Sequence, residues 1–126
     1  MGDPSGVGSE IILKSLPHIG KRSIPVIVGD RAVIEKTQKI LSLKPPSNFF
    51  PYMEGKAGNV EFIDLGLIRD VRFGVISPES GEASYKYLIE ALKIVVHGEA
   101  HAIVTCPINK KSFELANIPY RGHTEL

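Results

Sequence analysis

The stretch with the densest chemistry is AIVTCPINKKSFELANIPYRGHTEL, from Ala102 to Leu126. Within it, Tyr120-Arg121-Gly122-His123-Thr124-Glu125 sets a phenol, a guanidinium, an imidazole, a hydroxyl and a carboxylate close together. The segment follows a short apolar run, and in open α/β sheets ligands bind just beyond the carboxyl ends of strands. It is read as half of an active site, beside the plainer reading of His123 as a surface-loop or capping histidine. The opposite end of the sequence offers the other half. Met1-Gly2-Asp3-Pro4-Ser5-Gly6-Val7-Gly8-Ser9-Glu10 is a glycine-rich turn ahead of an apolar stretch, Ile11 to Leu16. Glycines let a backbone approach a ligand closely, and the free N–H groups that open a helix attract anions, so the turn suits a phosphate or carboxylate. It is not a Walker A loop, because no Gly-Lys-Ser/Thr follows. Gly6-Val7-Gly8-Ser9-Glu10-Ile11 also lacks the third glycine of a dinucleotide fingerprint. An ordinary strand-to-helix turn explains the stretch equally well.

Other single residues carry weaker signals. Asp3 and Glu10 could hold a substrate amine, with helix capping the simpler role. Asp30 lies 22 residues beyond Gly8, a spacing that invites a ribose contact, but capping of the helix that begins at Arg31 explains it better. Lys110, at a helix start, could meet a phosphate or be solvated. Cys106 as a nucleophile with His123 as base is the minor reading, since small residues at strand ends usually pack. His18, His97 and His101 lack metal-ligand spacing and read as structural or solvent-facing.

The elements that must position these residues alternate. Ala102-Ile103-Val104-Thr105 reads as a buried strand, with Pro107 ending it, Asn109 as N-cap, a helix over Lys110 to Ala116, and Asn117 and Pro119 as stops. Ile24 to Gly29 is an earlier strand, followed by a helical stretch from Arg31 to Leu43, and Val60 to Asp64 is another strand. Lys44 to Asn59 carries three prolines and two glycines and reads as a surface connection, in which Phe49, Phe50 and Tyr52 need cover, from their own core in the simplest case. Ser77-Pro78 opens the best helical pattern, Ala83, Tyr87, Ala91 and Ile94, and Gly98 closes it. Strand, helix, strand in repeated order predicts an α/β fold with parallel strands and right-handed crossovers.

Composition limits the partners. At 126 residues and 43% hydrophobic, the chain fits one domain. A net charge of +1 without charge runs gives no footprint for nucleic acid or a membrane surface. There is no transmembrane-length apolar run and no signal-peptide pattern. The single cysteine excludes an internal disulfide and fits a reducing cytosol.

Two stretches together resemble a known family. MGDPSGVGSEIILKSL is similar to the opening signature of the 4-hydroxythreonine-4-phosphate dehydrogenases of vitamin B6 biosynthesis, and TCPINKKSFELANIPYRGHTEL resembles their TxPxNK and GHTE segment. Val28-Gly29-Asp30 and the ISPESGEASYKYLIEAL helix fall between them in the expected order. Ser5 stands where the family usually has Ala, Ser9 where it often has Pro, and Cys106 where Ala or Gly is common. Members continue well past GHTE and usually have a strand before the MGDP turn, so the resemblance is to an N-terminal portion, a single α/β segment over residues 1–126.

That resemblance implies a fold like isocitrate and isopropylmalate dehydrogenases, incomplete in this chain. It implies NAD-dependent oxidation of 4-hydroxythreonine 4-phosphate followed by decarboxylation. A divalent metal of zinc, magnesium or cobalt type would be held by histidines outside this chain. A cytoplasmic homodimer with shared sites is implied as well. His123 and Thr124 match the family's substrate-contacting pair, an imidazole and a hydroxyl suited to orienting a polar substrate, with Gly122 expected to supply the backbone conformation that presents them. A related dehydrogenase of 4-phospho-threonate or 4-phospho-erythronate, a phosphate acyltransferase of the same general fold, and a noncatalytic module are the competing readings.

Overall fold

The computed structural model describes residues 1–19, 22–43, 49–52 and 59–125. Two β-branched, apolar runs form the centre. Val26–Gly29 (β1) pairs in parallel with Val60–Asp64 (β3), Val26 opposite Glu61 and Gly29 opposite Asp64. Alternate side chains of a strand point to opposite faces, and here both faces are covered. Ile27 and Phe62 join Leu13 and Ile34 in one buried cluster, under the helices Gly8–Ser15 (α1) and Arg31–Ile40 (α2). Val28 faces the other way and packs with Ala83, Tyr87 and Ile94 of the helix Pro78–Val96 (α3). Each fully buried aliphatic or aromatic side chain of these clusters stabilises the fold by roughly 1.5–3 kcal/mol. The result is a parallel sheet with helices on both faces, the α/β arrangement that the alternation of elements predicts.

One strand lies where the sequence reads as a loop. Phe49–Pro51 (β2) pairs in parallel with β3, Phe49 opposite Val60, giving the order β1-β3-β2. Among the described residues β2 is an edge strand and Pro51 its last residue, a position in a sheet where proline is tolerated. Tyr52 is then covered as expected: it packs against the α3 cluster, and its hydroxyl donates to Glu99 at 2.6 Å. That bond to a carboxylate, more than burial, pushes the phenol pKa up to about 12. The rest of the connection, and the side chains of Phe49 and Phe50, lie outside the described residues.

Two helices are capped by the residues that the sequence singles out. Ser77 Oγ accepts from Ser80 N at 3.1 Å and Pro78 occupies the first turn of α3. At the other end Gly98 takes φ +77°, while Glu99 N donates back to the Ile94 carbonyl, a Schellman closure. The helix Lys110–Leu115 (α4) starts at Asn109, whose side chain accepts from Lys111 N and Ser112 N, and closes the same way around Asn117 at φ +54°. α2 stops at Ile40 rather than Leu43 because Ser42, at φ +51°, makes a third such closure, with Leu43 N donating to the Gln38 carbonyl. α3 and α4 cross closely: a side chain on Gly81 would run into the Ser112 carbonyl.

The predicted buried strand at Ala102–Thr105 is not formed. These residues make no ladder bonds to any described residue, and Val104 is 94% exposed. A strand needs a neighbour. The backbone of residues 1–3 lies between β1 and this segment, and meets it only further along, where Asp3 N donates to the Pro107 carbonyl at 3.0 Å. On its β1 side, the Met1 nitrogen donates to the Val28 carbonyl at 2.8 Å.

Candidate functional site

The turn at Gly2–Gly8 and the histidine-bearing loop meet at Thr105-Cys106-Pro107. Gly2 adopts φ +75°, and a Cβ there would press on the carbonyls of Pro107 and Cys106. Gly8 is equally confined, since a Cβ would overlap the Met1 carbonyl and lie 3.1 Å from Cys106 Cβ. Backbone packing therefore requires glycine at both positions, Gly2 against the carbonyls of 106–107 and Gly8 against the Met1 carbonyl and the Cys106 side chain. Cys106 Sγ donates to the Gly8 carbonyl at 3.7 Å, and burial pushes the thiol pKa up. That disfavours the thiolate a nucleophile requires. On the other side, Thr105 Oγ1 lies 3.4 Å from His123 Nε2.

His123 and Thr124 sit in the short 3-10 turn His123–Glu125, the first half-buried and the second exposed. His123 Nδ1 is buried with no partner among the described residues. Gly122 does not take a positive φ, and a Cβ there would touch only Ile108 Cδ1 at 3.9 Å. Tyr120 stacks on Tyr85 of α3 (6.2 Å, 23°), and Tyr85 meets buried Phe113 of α4 edge-on (6.4 Å, 90°). Arg121 N donates to Glu125 Oε2 at 2.8 Å and closes the turn.

The remaining candidates resolve differently. Asp3 makes a local turn rather than a helix cap, Oδ1 accepting from Ser5 N at 2.8 Å. Burial raises its pKa, against the lowering effect of that bond. Glu10 is in the first turn of α1 and pairs with Lys14 at 2.6 Å on the exposed face. Lys110 is exposed, and the neighbouring N–H groups of α4 already go to Asn109. His18, His97 and His101 are exposed, with His97 at the C-cap of α3.

Asp30 is the largest correction. It holds the N-cap position of α2 but makes no side-chain cap; Asp64 Oδ1 takes Arg31 N instead, at 3.1 Å. The fully buried Asp30 carboxylate accepts from Leu67 N (2.9 Å), Ile68 N (2.6 Å) and the Tyr87 hydroxyl (2.6 Å). It is an internal clamp on the loop between β3 and α3, and no ribose could reach it. Burial, then the Asp30 bond, drives the Tyr87 phenol pKa far up. Sequence reasoning missed this clamp, since its partners lie 37, 38 and 57 residues away.

Among the described residues no group of three or more His, Cys, Asp or Glu side chains could hold a metal ion. Among the described residues no helix is long and apolar enough to cross a membrane.

A parallel sheet covered on both faces, with two loops joined at one rim, defines an α/β protein of the kind that binds small ligands beyond its strand ends. The chain belongs to the PdxA family: the model described as pyridoxal phosphate biosynthetic protein PdxA matches residues 21–126. It is 38% identical over 130 residues to a 4-hydroxythreonine-4-phosphate dehydrogenase of Sulfurihydrogenibium sp., covering 99% of this chain and 39% of that protein. It is 35% identical over 133 residues to a provisionally named D-threonate 4-phosphate dehydrogenase of Oceanobacillus iheyensis, covering 100% and 40%. The crystal structure of a 4-hydroxythreonine-4-phosphate dehydrogenase from Burkholderia phymatum superposes with a TM-score of 0.86 at 33% identity, over 99% of this chain and 40% of that one. The chain thus spans about 40% of the length of the relatives it matches.

Proposed function

We propose that these residues serve a dehydrogenase of 4-phosphorylated hydroxy acids, with 4-hydroxythreonine 4-phosphate as the substrate. The observation that carries the reading is the junction at Thr105-Cys106-Pro107, which joins the glycine turn to the GHTE loop in a chain of this family. NAD, when bound, accepts the hydride of the substrate carbinol while its hydroxyl proton is lost; the resulting β-keto acid then sheds carbon dioxide. The role of this chain is orientation. His123 and Thr124 hold a polar oxygen of the substrate, and Thr105, beside Nε2, sets the tilt of the imidazole. The metal ligands belong to residues other than those described, and the working assembly is a cytoplasmic homodimer with an isocitrate dehydrogenase-like subunit.

D-threonate 4-phosphate, named for the Oceanobacillus relative, is the second reading, differing by a hydroxyl in place of the amine. The test is NADH formation by the full-length gene product with a divalent metal and each substrate in turn. Turnover of 4-hydroxythreonine 4-phosphate with the larger kcat/KM is expected. Preference for D-threonate 4-phosphate would replace the first reading by the second, and inactivity on both would remove the dehydrogenase proposal.

A further inference from the structure

The loop between β3 and α3 is fastened more firmly than a connection requires. Its Leu67 and Ile68 N–H groups are held by the buried Asp30 carboxylate, and Lys36 Nζ from α2 donates to Asp70 Oδ1 (2.8 Å) and to the Val71 carbonyl (2.6 Å). Val71 is buried, and Gly74 N donates to the Ser5 carbonyl at 2.8 Å. Arg69 and Arg72 project from this rigid frame. Neither forms an ion pair among the described residues, whereas the intervening Asp70 is neutralised by Lys36.

Both arginines line an open cavity of about 320 Å³ whose opposite wall is Ser5 and the start of α3, with Ser77, Glu79 and Ser80. That volume is near the lower end of the roughly 300–1,000 Å³ typical of small-ligand sites. Hydroxyl groups link the two sides of this wall: Ser77 Oγ lies 3.2 Å from Ser80 Oγ, which lies 2.6 Å from Ser5 Oγ. Glu79 is turned back on its own N–H and the Ser77 hydroxyl, which hold its pKa below the carboxylate range. The lining itself balances two guanidinium groups against the Asp70 and Glu79 carboxylates, and Lys36, paired with Asp70 from outside the lining, leaves the neighbourhood with one cation in excess. Planar guanidinium forks match the geometry of phosphate oxygens, and the cavity opens beyond the carboxyl end of β3, where ligands of open parallel sheets bind.

We propose that this cavity is a phosphate-binding site, gripped by Arg69 and Arg72, separate from the His123 loop. None of its lining residues belongs to 105–107 or 120–125. The test is titration of the isotopically labelled chain with inorganic phosphate, followed by amide chemical shifts. Saturable shifts at Arg69, Arg72, Ser77 and Ser80 are expected, weakening as chloride is raised. The double variant Arg69→Gln/Arg72→Gln should lose affinity by about tenfold or more, as charge-assisted contacts are removed. Glu79→Gln should bind about two- to fivefold more tightly, because it deletes the opposing charge. A folded double variant that binds phosphate as well as the parent, or shifts centred on His123, would overturn the proposal. If the double variant does not fold, Glu79→Gln decides alone, and unchanged or weaker binding by it rejects the site.

Discussion

At the scale of single residues, two aspartates show how burial sets opposite costs. Asp30 is fully buried, but three donors converge on it. Tyr87→Phe removes one of them and leaves the carboxylate short of a partner, which should destabilise the chain by about 1–3 kcal/mol. The urea midpoint reads this, and an unchanged midpoint would mean that the Tyr87 bond contributes nothing. Asp3 is buried, and among the described residues its carboxylate accepts from Ser5 N alone. Burial raises its folded pKa, so the folded state favours the protonated form more than the unfolded state does. The unfavourable contribution is present at neutral pH and fades as pH falls through the folded pKa toward the ordinary carboxylate value. Asp3→Asn keeps the acceptor and discards the charge. The variant should be more stable than the parent at pH 7, with the gap closing toward about pH 4; a gap that does not change with pH would show that charge is not the cause. In a full-length version, His123→Ala should reduce kcat/KM by roughly one to three orders of magnitude, the loss of one positioning contact. Wild-type kinetics would take His123 out of the site.

At the scale of elements, what was legible in the sequence was what is locally determined. α3 announces itself through Ser77-Pro78 and Gly98, and α4 through Asn109 and Asn117, because caps act within a few residues of the helix they close. β1 and β3 follow from short β-branched runs. Apart from the early stop of α2 at Ser42, the failures are non-local. Three residues at Phe49–Pro51 become a strand only because β3 offers an edge, and Ala102–Thr105 does not become one because it makes no ladder bonds to described backbone. The GHTE loop was legible as a motif, but not the Tyr85–Tyr120 stack that seats it on α3. That stack and the Gly81–Ser112 crossing make α3 the platform for the 110–125 segment. Gly81→Ala places a methyl group against the Ser112 carbonyl, so the helices must separate, at a cost of about 1–3 kcal/mol. Hydrogen exchange should then quicken across α4 and at Tyr120–Glu125 together. Faster exchange confined to α4 would show that the loop is seated independently.

At the scale of the whole molecule, the described residues supply a sheet, a glycine turn, an imidazole and a set of oxygen donors, but no group of side chains able to hold a metal. The chemistry proposed for the family site needs an acceptor for hydride and a Lewis acid for the alcohol oxygen, and orientation by His123 and Thr124 cannot replace either. A polypeptide of these 126 residues alone is therefore expected to produce no NADH from 4-hydroxythreonine 4-phosphate, with or without added divalent metal. The full-length gene product, assayed side by side, should produce it only when metal is present. Metal-dependent NADH formation by the 126-residue chain would place the reacting groups inside it, and would require ligands among the side chains in which no such cluster is seen.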